Sequence, residues 1–389
     1  MNSSFFYPAR VLVESGAFRK FVKECNFKFS RLFVITGHKS MKNAGILDEI
    51  QDLTKKENID SFIFSGVNTN PTDLEVDQTC KICHEFGADC ILGIGGTSSM
   101  DVAKIVAMQA TNGGNSWDYI NVKNRKAKPI TKDSLPLITI PTTSGGASES
   151  TPYAVITNFN TRMKKGMKSE KIYPKLVIID SELLKLMPQK LVAISGFDAL
   201  AQALESLTSK NSNLISDYFA LQSLDIIISN FEKSWENSEN TKARENMALG
   251  SFLSGFAIGI TDTNLAHAMS HPISAHYGIQ HGLAVLLCTF QAIQFNKSVA
   301  PNKYREVASL FKQEKKHENS VQFLIKKLYD WTKKFEINLD FDSYKISKLA
   351  LEKFVSDALE IGGINTNPRS INEDQLTELY EKAWNGKID

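Results

Sequence analysis

Cys90-Ile-Leu-Gly-Ile-Gly95-Gly96-Thr97-Ser98-Ser99-Met100-Asp101-Val-Ala-Lys104 is the stretch whose reading decides the fold. Its first six residues make an apolar run of strand length, and residues 98–110 carry helical spacing. The glycines between them would let a phosphate approach the backbone closely. The amino terminus of the helix adds free N–H groups and a positive dipole end. Ser98 or Ser99 is placed to cap that helix. The stretch is not a full GxGxxG, so on position alone it reads either as a phosphate site or as a plain tight turn.

The same pattern extends outward. Residues 31–36, 59–64, 135–140 and 176–180 read as further buried strands, and Asp73–Phe86 as a helix. Near-continuous apolar strands alternating with helices imply a parallel sheet covered on both faces. Residues 111–133 are polar and read as a long loop. From about residue 181 the strand-like runs largely disappear. Helical segments then follow at 183–186, 197–208, 215–232, 243–259, 265–276, 282–295, 304–311, 321–335 and 349–358. A domain boundary is expected within 181–190.

The chain has 389 residues, too many for one ordinary compact domain. Apolar residues make up 42% and charged residues 23%, a balance that excludes disorder and fibrous architectures. Lys and Arg total 45 against 43 Asp and Glu, so nothing advertises nucleic acid or an anionic membrane as partner. No apolar run approaches the roughly 18 residues of a membrane span. The first residues lack the features of a secretory signal. The five cysteines, Cys25, Cys80, Cys83, Cys90 and Cys288, are therefore expected as thiols in a reducing cytoplasm.

Three further stretches carry chemistry. Pro141-Thr-Thr-Ser-Gly-Gly-Ala-Ser-Glu149 follows a strand and suits hydrogen bonds to a ribose, phosphate or amide, or forms an ordinary capped loop. His267, His271, His276 and His281 cluster in an apolar segment where an unbonded imidazole would be costly. His267 and His271 lie four apart, on one helix face, and can converge on one ion. Pro272 is expected near a helix end or kink. Asp198 and Gln202 are again four apart in an apolar helix. Asp198 is either an anionic metal ligand or a helix cap.

These pieces together resemble the metal-dependent group III ("iron-containing") alcohol dehydrogenases. Residues 95–104 resemble their GGGSxxDxAK loop, 141–149 their PTTxGTGSE turn, and 198–205 their DALxHAxE helix. His267-x-x-x-His271-Pro with His281-Gly282 resembles their second metal segment. The resemblance spans nearly the whole chain and keeps the family's order. It implies a Rossmann-like α/β domain over 1–182, binding a dinucleotide, and an all-α metal and substrate domain over 183–389, in a dehydroquinate synthase-like architecture. The active site would lie in the cleft between them.

By the same resemblance, one divalent ion (Fe²⁺ or Zn²⁺, with Mn²⁺ a further candidate) would sit on Asp198, Gln202, His267 and His281. His271 would act as a proton relay or substrate contact. NAD or NADP would bind through Gly95, Gly96, Thr97 and Ser98, with Asp101, Thr142, Thr143 and Lys165. The implied reaction is reversible hydride transfer between an alcohol, polyol or sugar-type hydroxyl and the nicotinamide. The expected partners are that small molecule and, as an assembly, a second copy of the chain.

The sequence departs from the family pattern at several points. Gln202 stands where histidine is usual, a harder and weaker donor that shifts preference toward harder ions. Thr97 replaces the third glycine of the loop, and Gly146-Ala147 replace the usual Thr-Gly. Gly37 follows a strand where many relatives carry an aspartate that repels a 2′-phosphate, which opens the site to NADP. Cys80-Lys-Ile-Cys83-His84 matches a haem attachment motif but lies in a helical pattern. The rival readings are a sugar-phosphate cyclase of the dehydroquinate synthase type and a metal-free nucleotide-binding scaffold.

Overall fold

The computed structural model describes residues 4–311 and 320–388. Contacts divide the chain into two units. Residues 6–187 with 238–248 form the first, and most of the chain from Pro188 onward forms the second.

The first unit holds β1 (Arg10–Val13), β2 (Arg31–Gly37), α1 (Ile46–Lys56), β3 (Asp60–Val67), α2 (Asp73–Phe86), β4 (Cys90–Gly95), α3 (Thr97–Asn112), β5 (Leu137–Pro141), β6 (Tyr153–Thr157), β7 (Lys164–Lys168) and β8 (Leu176–Ile179). Six strands form one parallel sheet in the order β1-β8-β5-β4-β2-β3. β6 and β7 pair separately as an antiparallel hairpin. The expected strands and α2 are present. β1, the hairpin and α1 are additional to the sequence reading.

Alternate residues of the strands feed two cores. Phe33, Ile35 and Ile91 pack with Val76, Val102 and Val106 on one face. Leu32, Val34, Leu92 and Ile94 pack with Phe18, Ile50 and Ile138 on the other. Each such side chain contributes about 1.5–3 kcal/mol on burial. With both faces covered, β4 is buried along its whole length, which is why its sequence is an unbroken apolar run. α2 has sharp ends for a local reason. Thr72 and Glu75 form a reciprocal capping box at its start, and Gly87, at φ 70°, ends it.

The sheet order reverses between β2 and β4. β2 leads to β3 on one side and β4 leads to β5 on the other, so Gly37 and Gly95 flank the switch point at the carboxyl ends of the strands. Ligands of open α/β sheets bind at that point.

The second unit is helical: α4 (Gln189–Thr208), α5 (Leu214–Glu236), α6 (Thr241–Thr261) from residue 249 on, α7 (Leu265–Tyr277), α8 (His281–Asn296), α9 (Pro301–Ser309), α10 (Val321–Lys334), α11 (Leu351–Leu359) and α12 (Glu373–Trp384). Met269, Ile273, Leu283, Leu287, Phe354, Tyr380 and Trp384 lie in its core. α4 starts eight residues before the expected 197, and α12 is additional to the sequence reading. Pro272 does not end its helix but lies within α7, which runs on until Gly278 terminates it at φ 66°. The proline removes one N–H donor from the helix. No described helix is long and apolar enough to cross a membrane.

α3 packs on β4 at glycine. A Cβ on Gly93 would stand 2.8 Å from Ala103 Cβ and 3.4 Å from Met100 Cα. Gly93→Ala is therefore expected to lower unfolding free energy by about 1–3 kcal/mol in a urea titration.

Candidate active site

Each unit carries one part of the chemistry. In the first, α3 starts at Thr97 with Gly96 as its N-cap, and no side chain caps it. This corrects the expectation for Ser98 and Ser99, which both fall inside the first turn. Ser98 donates its hydroxyl to Thr69 O at 2.7 Å, and Ser99 is buried against Gly95. A helix start left without a side-chain cap suits an anionic ligand. Gly95 is needed by the backbone: its φ is 142°, and an added Cβ would stand 2.8 Å from Ser99 Oγ. Gly96 has ordinary space, since nothing would approach its Cβ closer than Thr143 Cγ2 at 3.5 Å.

The second turn lies against the first. Thr142 N–H donates to Gly95 O at 2.8 Å, so Gly95, Gly96, Thr97, Ser98, Thr142 and Thr143 form one local surface. Asp101 serves this arrangement from within. It is 5% exposed, its Oδ1 accepts from Ser148 Oγ at 2.5 Å, and its Oδ2 accepts from Val155 N–H at 3.0 Å. Lys104 donates to Thr151 O and Tyr153 O at 2.7 Å each, and burial pushes its pKa down to about 8. Lys165 sits on β7 opposite Ile156. The CxxCH stretch lies within α2 with both cysteines buried, and burial pushes the thiols up to about 11 and 12.

In the second unit, one face of α4 carries Asp198, Gln202 and Glu205, all buried. Asp198 lies deep inside the helix, so it is not a cap. Asp198, His267 and His281 each bring one ligand atom within 4.8 Å of the others. Asp198 Oδ1 is 3.4 Å from His267 Nε2 and 4.0 Å from His281 Nε2. Donors about 2.0–2.2 Å from a tetrahedral ion stand about 3.4 Å apart, so the spacing fits a divalent cation. Asp198 Oδ1 and His267 Nε2 are buried with no hydrogen-bond partner, the state expected of ligand atoms.

Gly282 explains how His281 gets there. A Cβ on it would meet Ile194 O at 2.5 Å and Asp198 Cβ at 3.1 Å, so only glycine lets the start of α8 close on α4. His271 lies beside the cluster, its ring 5.6 Å from that of His281. His276 does not join it: Nε2 bonds to Asp357 Oδ2 at 2.8 Å. Gln202 Oε1 lies 2.8 Å from Ser254 Oγ.

Glu205 lies within the motif that the sequence displays, yet its role emerges only from its contacts. Its Oε2 accepts from His267 Nδ1–H at 2.5 Å and from Asn264 N–H at 3.0 Å. Its Oε1 accepts from Ala266 N–H at 2.6 Å and from His267 N–H at 3.2 Å. A proton held on Nδ1 leaves Nε2 to face Asp198. Burial opposes a charged His267, but the negative charges of Glu205 and Asp198 outweigh it and raise the pKa to about 10. The pocket thus attracts positive charge.

The first unit offers an open helix start at the switch point of a parallel sheet, and the second an Asp-His-His cluster with Asp198 and His267 buried and His281 partly exposed, an arrangement suited to a nucleotide and a metal ion. Residues 8–181 match the family "Iron-containing alcohol dehydrogenase", and residues 192–384 match "Fe-containing alcohol dehydrogenase family, C-terminal". The chain belongs to the iron-containing alcohol dehydrogenase family. It is 27% identical to the NAD-dependent methanol dehydrogenase of Bacillus methanolicus, over 98% of this chain and 100% of that protein. It is 28% identical to the NADPH-dependent butanol dehydrogenase of Clostridium saccharobutylicum, over 93% of each. Among solved structures, an archaeal halo-thermophilic alcohol dehydrogenase from a Red Sea brine pool superposes with a TM-score of 0.93 at 29% identity, covering 98% of this chain and 99% of that one. The chain is thus an oxidoreductase with the family's two-part fold.

Glu205→Gln keeps an acceptor for α7 but turns an amide donor toward His267 Nδ1. Affinity for zinc or iron(II), measured by calorimetry, is expected to fall about 10–100-fold. An unchanged affinity would contradict the orienting role.

Proposed function

We propose that Asp198, His267 and His281, with Gln202 as fourth ligand, hold one divalent cation (Fe²⁺, Zn²⁺ or Mn²⁺). We further assign the surface of Gly95, Gly96, Thr97, Ser98, Thr142 and Thr143, with Lys165, to NAD or NADP. The reaction is reversible oxidation of an alcohol, polyol or sugar-type hydroxyl to its carbonyl. The convergence of Asp198, His267 and His281 carries this reading. When bound, the cation supplies Lewis acidity at the substrate oxygen and the nicotinamide accepts hydride from the carbinol carbon.

The chain's own residues have distinct tasks. Glu205 fixes the tautomer of His267. Asp101 acts on the nucleotide only through the turn that it holds. His271, half-buried beside His281, takes up the hydroxyl proton. Gln202 fits a ligand role because of Ser254. That hydroxyl has one hydrogen and two oxygens in range, Ser251 O at 2.7 Å and Gln202 Oε1 at 2.8 Å. With the hydrogen on Ser251 O, the Gln202 amide turns its NH₂ to Ser254 and its carbonyl away, available to an ion.

His267→Ala is expected to lose bound metal and alcohol-dependent NAD(P)H formation together, read by mass spectrometry and absorbance. Normal metal occupancy in that variant would sink the assignment. Gln202→His should tighten metal binding, and an unchanged affinity would mean that Gln202 is not a ligand. At Gly37 an added Cβ would meet nothing closer than Val67 O at 3.8 Å, so a side chain fits. Gly37→Asp is expected to reduce kcat/KM for NADP about tenfold relative to NAD. Equal ratios in both proteins would place the adenosine ribose elsewhere.

A further inference from the structure

The two departures of the nucleotide turns from the family pattern meet in space. A Cβ built on Gly146 would stand 2.0 Å from Thr97 Oγ1, 2.7 Å from its Cγ2 and 2.8 Å from its Cβ. The side chain of Thr97 therefore fills the volume that any side chain at 146 would need. The family motifs carry glycine at the first position and threonine at the second; this chain carries them the other way round. Thr97 opens α3, and Thr142 N–H is bonded to Gly95 O, so the two turns are tied to each other. Immediately after Gly146, Ala147 adopts φ 51°, where the family motif has glycine, and Ser148 is anchored on Asp101.

We propose that Thr97 and Gly146 are one interlocked unit that sets the spacing of the two turns for the dinucleotide. The threonine that relatives carry on the second turn is carried here on the first, and Thr97 fits there only because residue 146 is glycine. They are positioning residues, and the inference rests on the assignment of these turns to NAD(P).

The test is a double-mutant cycle read by nicotinamide fluorescence with NADPH and NADH, and by metal affinity. Gly146→Thr is expected to raise the Kd for the better-bound nucleotide about tenfold or more, with metal affinity unchanged. Thr97→Gly should raise it only a few-fold. The reversed pair, Thr97→Gly with Gly146→Thr, should return to within about threefold of the parent, well below the product of the single effects. Where Gly146→Thr fails to fold, Gly146→Ala in the parent and in the Thr97→Gly background makes the same comparison.

Gly96→Ala separates the two claims, because its Cβ has room in the protein but obstructs a phosphate. If Gly96→Ala weakens binding and the reversed pair is no better than Gly146→Thr, the interlock is overturned and the nucleotide assignment stands. If Gly96→Ala and the Gly146 variants all bind as the parent does, the nucleotide assignment falls and the inference with it.

Discussion

The buried Glu205 carboxylate is the constraint on which the Asp198–His267–His281 cluster depends. A carboxylate taken out of water is costly unless its oxygens are satisfied. Here four N–H groups satisfy it, three from the backbone at the start of α7 and one from the ring of His267. The backbone bonds place negative charge at the positive end of the α7 dipole. The ring bond sets which nitrogen of His267 faces Asp198. Glu205 shares an α4 face with Asp198 and Gln202, so one helix positions the Asp198 carboxylate and, through Glu205, the imidazole from a second helix. Gly282 completes the set by letting α8 approach α4 without a side chain between them.

The glycine turns of the first unit are built on a different use of space. The glycines are not equivalent: Gly93 lets helix meet strand, Gly95 supplies a backbone angle, and Gly96 leaves room. Beneath the turns lie Asp101, Lys104 and Glu149, all buried. Burial pushes the Glu149 pKa up to about 7 and that of Lys104 down to about 8, which marks how far they are removed from water. Asp101 and Lys104 spend their bonding capacity on the chain itself, holding residues 148–155 in place.

Much of this is legible in the sequence where local pattern and tertiary burial agree. β4 is apolar throughout because both sheet faces are covered, and α2 is bounded by its capping box and Gly87. Elements escape notice where that agreement fails. β1 is four residues long with exposed ends, and β7 reads Lys-Lys-Gly-Met-Lys, which carries no strand pattern until it pairs with β6. At the site, the fourfold spacing of His267 and His271 points to one ion, but the structure brings His267 to His281 and Asp198, while His276 turns to Asp357. Glu205 has no legible role in the sequence because its partners lie about sixty residues further along the chain. Likewise, Thr97 and Gly146 read as two separate departures until their contact is visible.

The central claim is that Asp198, His267 and His281 hold a divalent cation. Anomalous diffraction from crystals of the protein purified without chelator, recorded at the iron, zinc and manganese edges, tests it directly. The account predicts one strong peak within about 2.0–2.3 Å of Asp198 Oδ1 and His267 Nε2, with His281 completing the set. No peak there after soaking with each of the three ions, or a peak at other side chains alone, would contradict it.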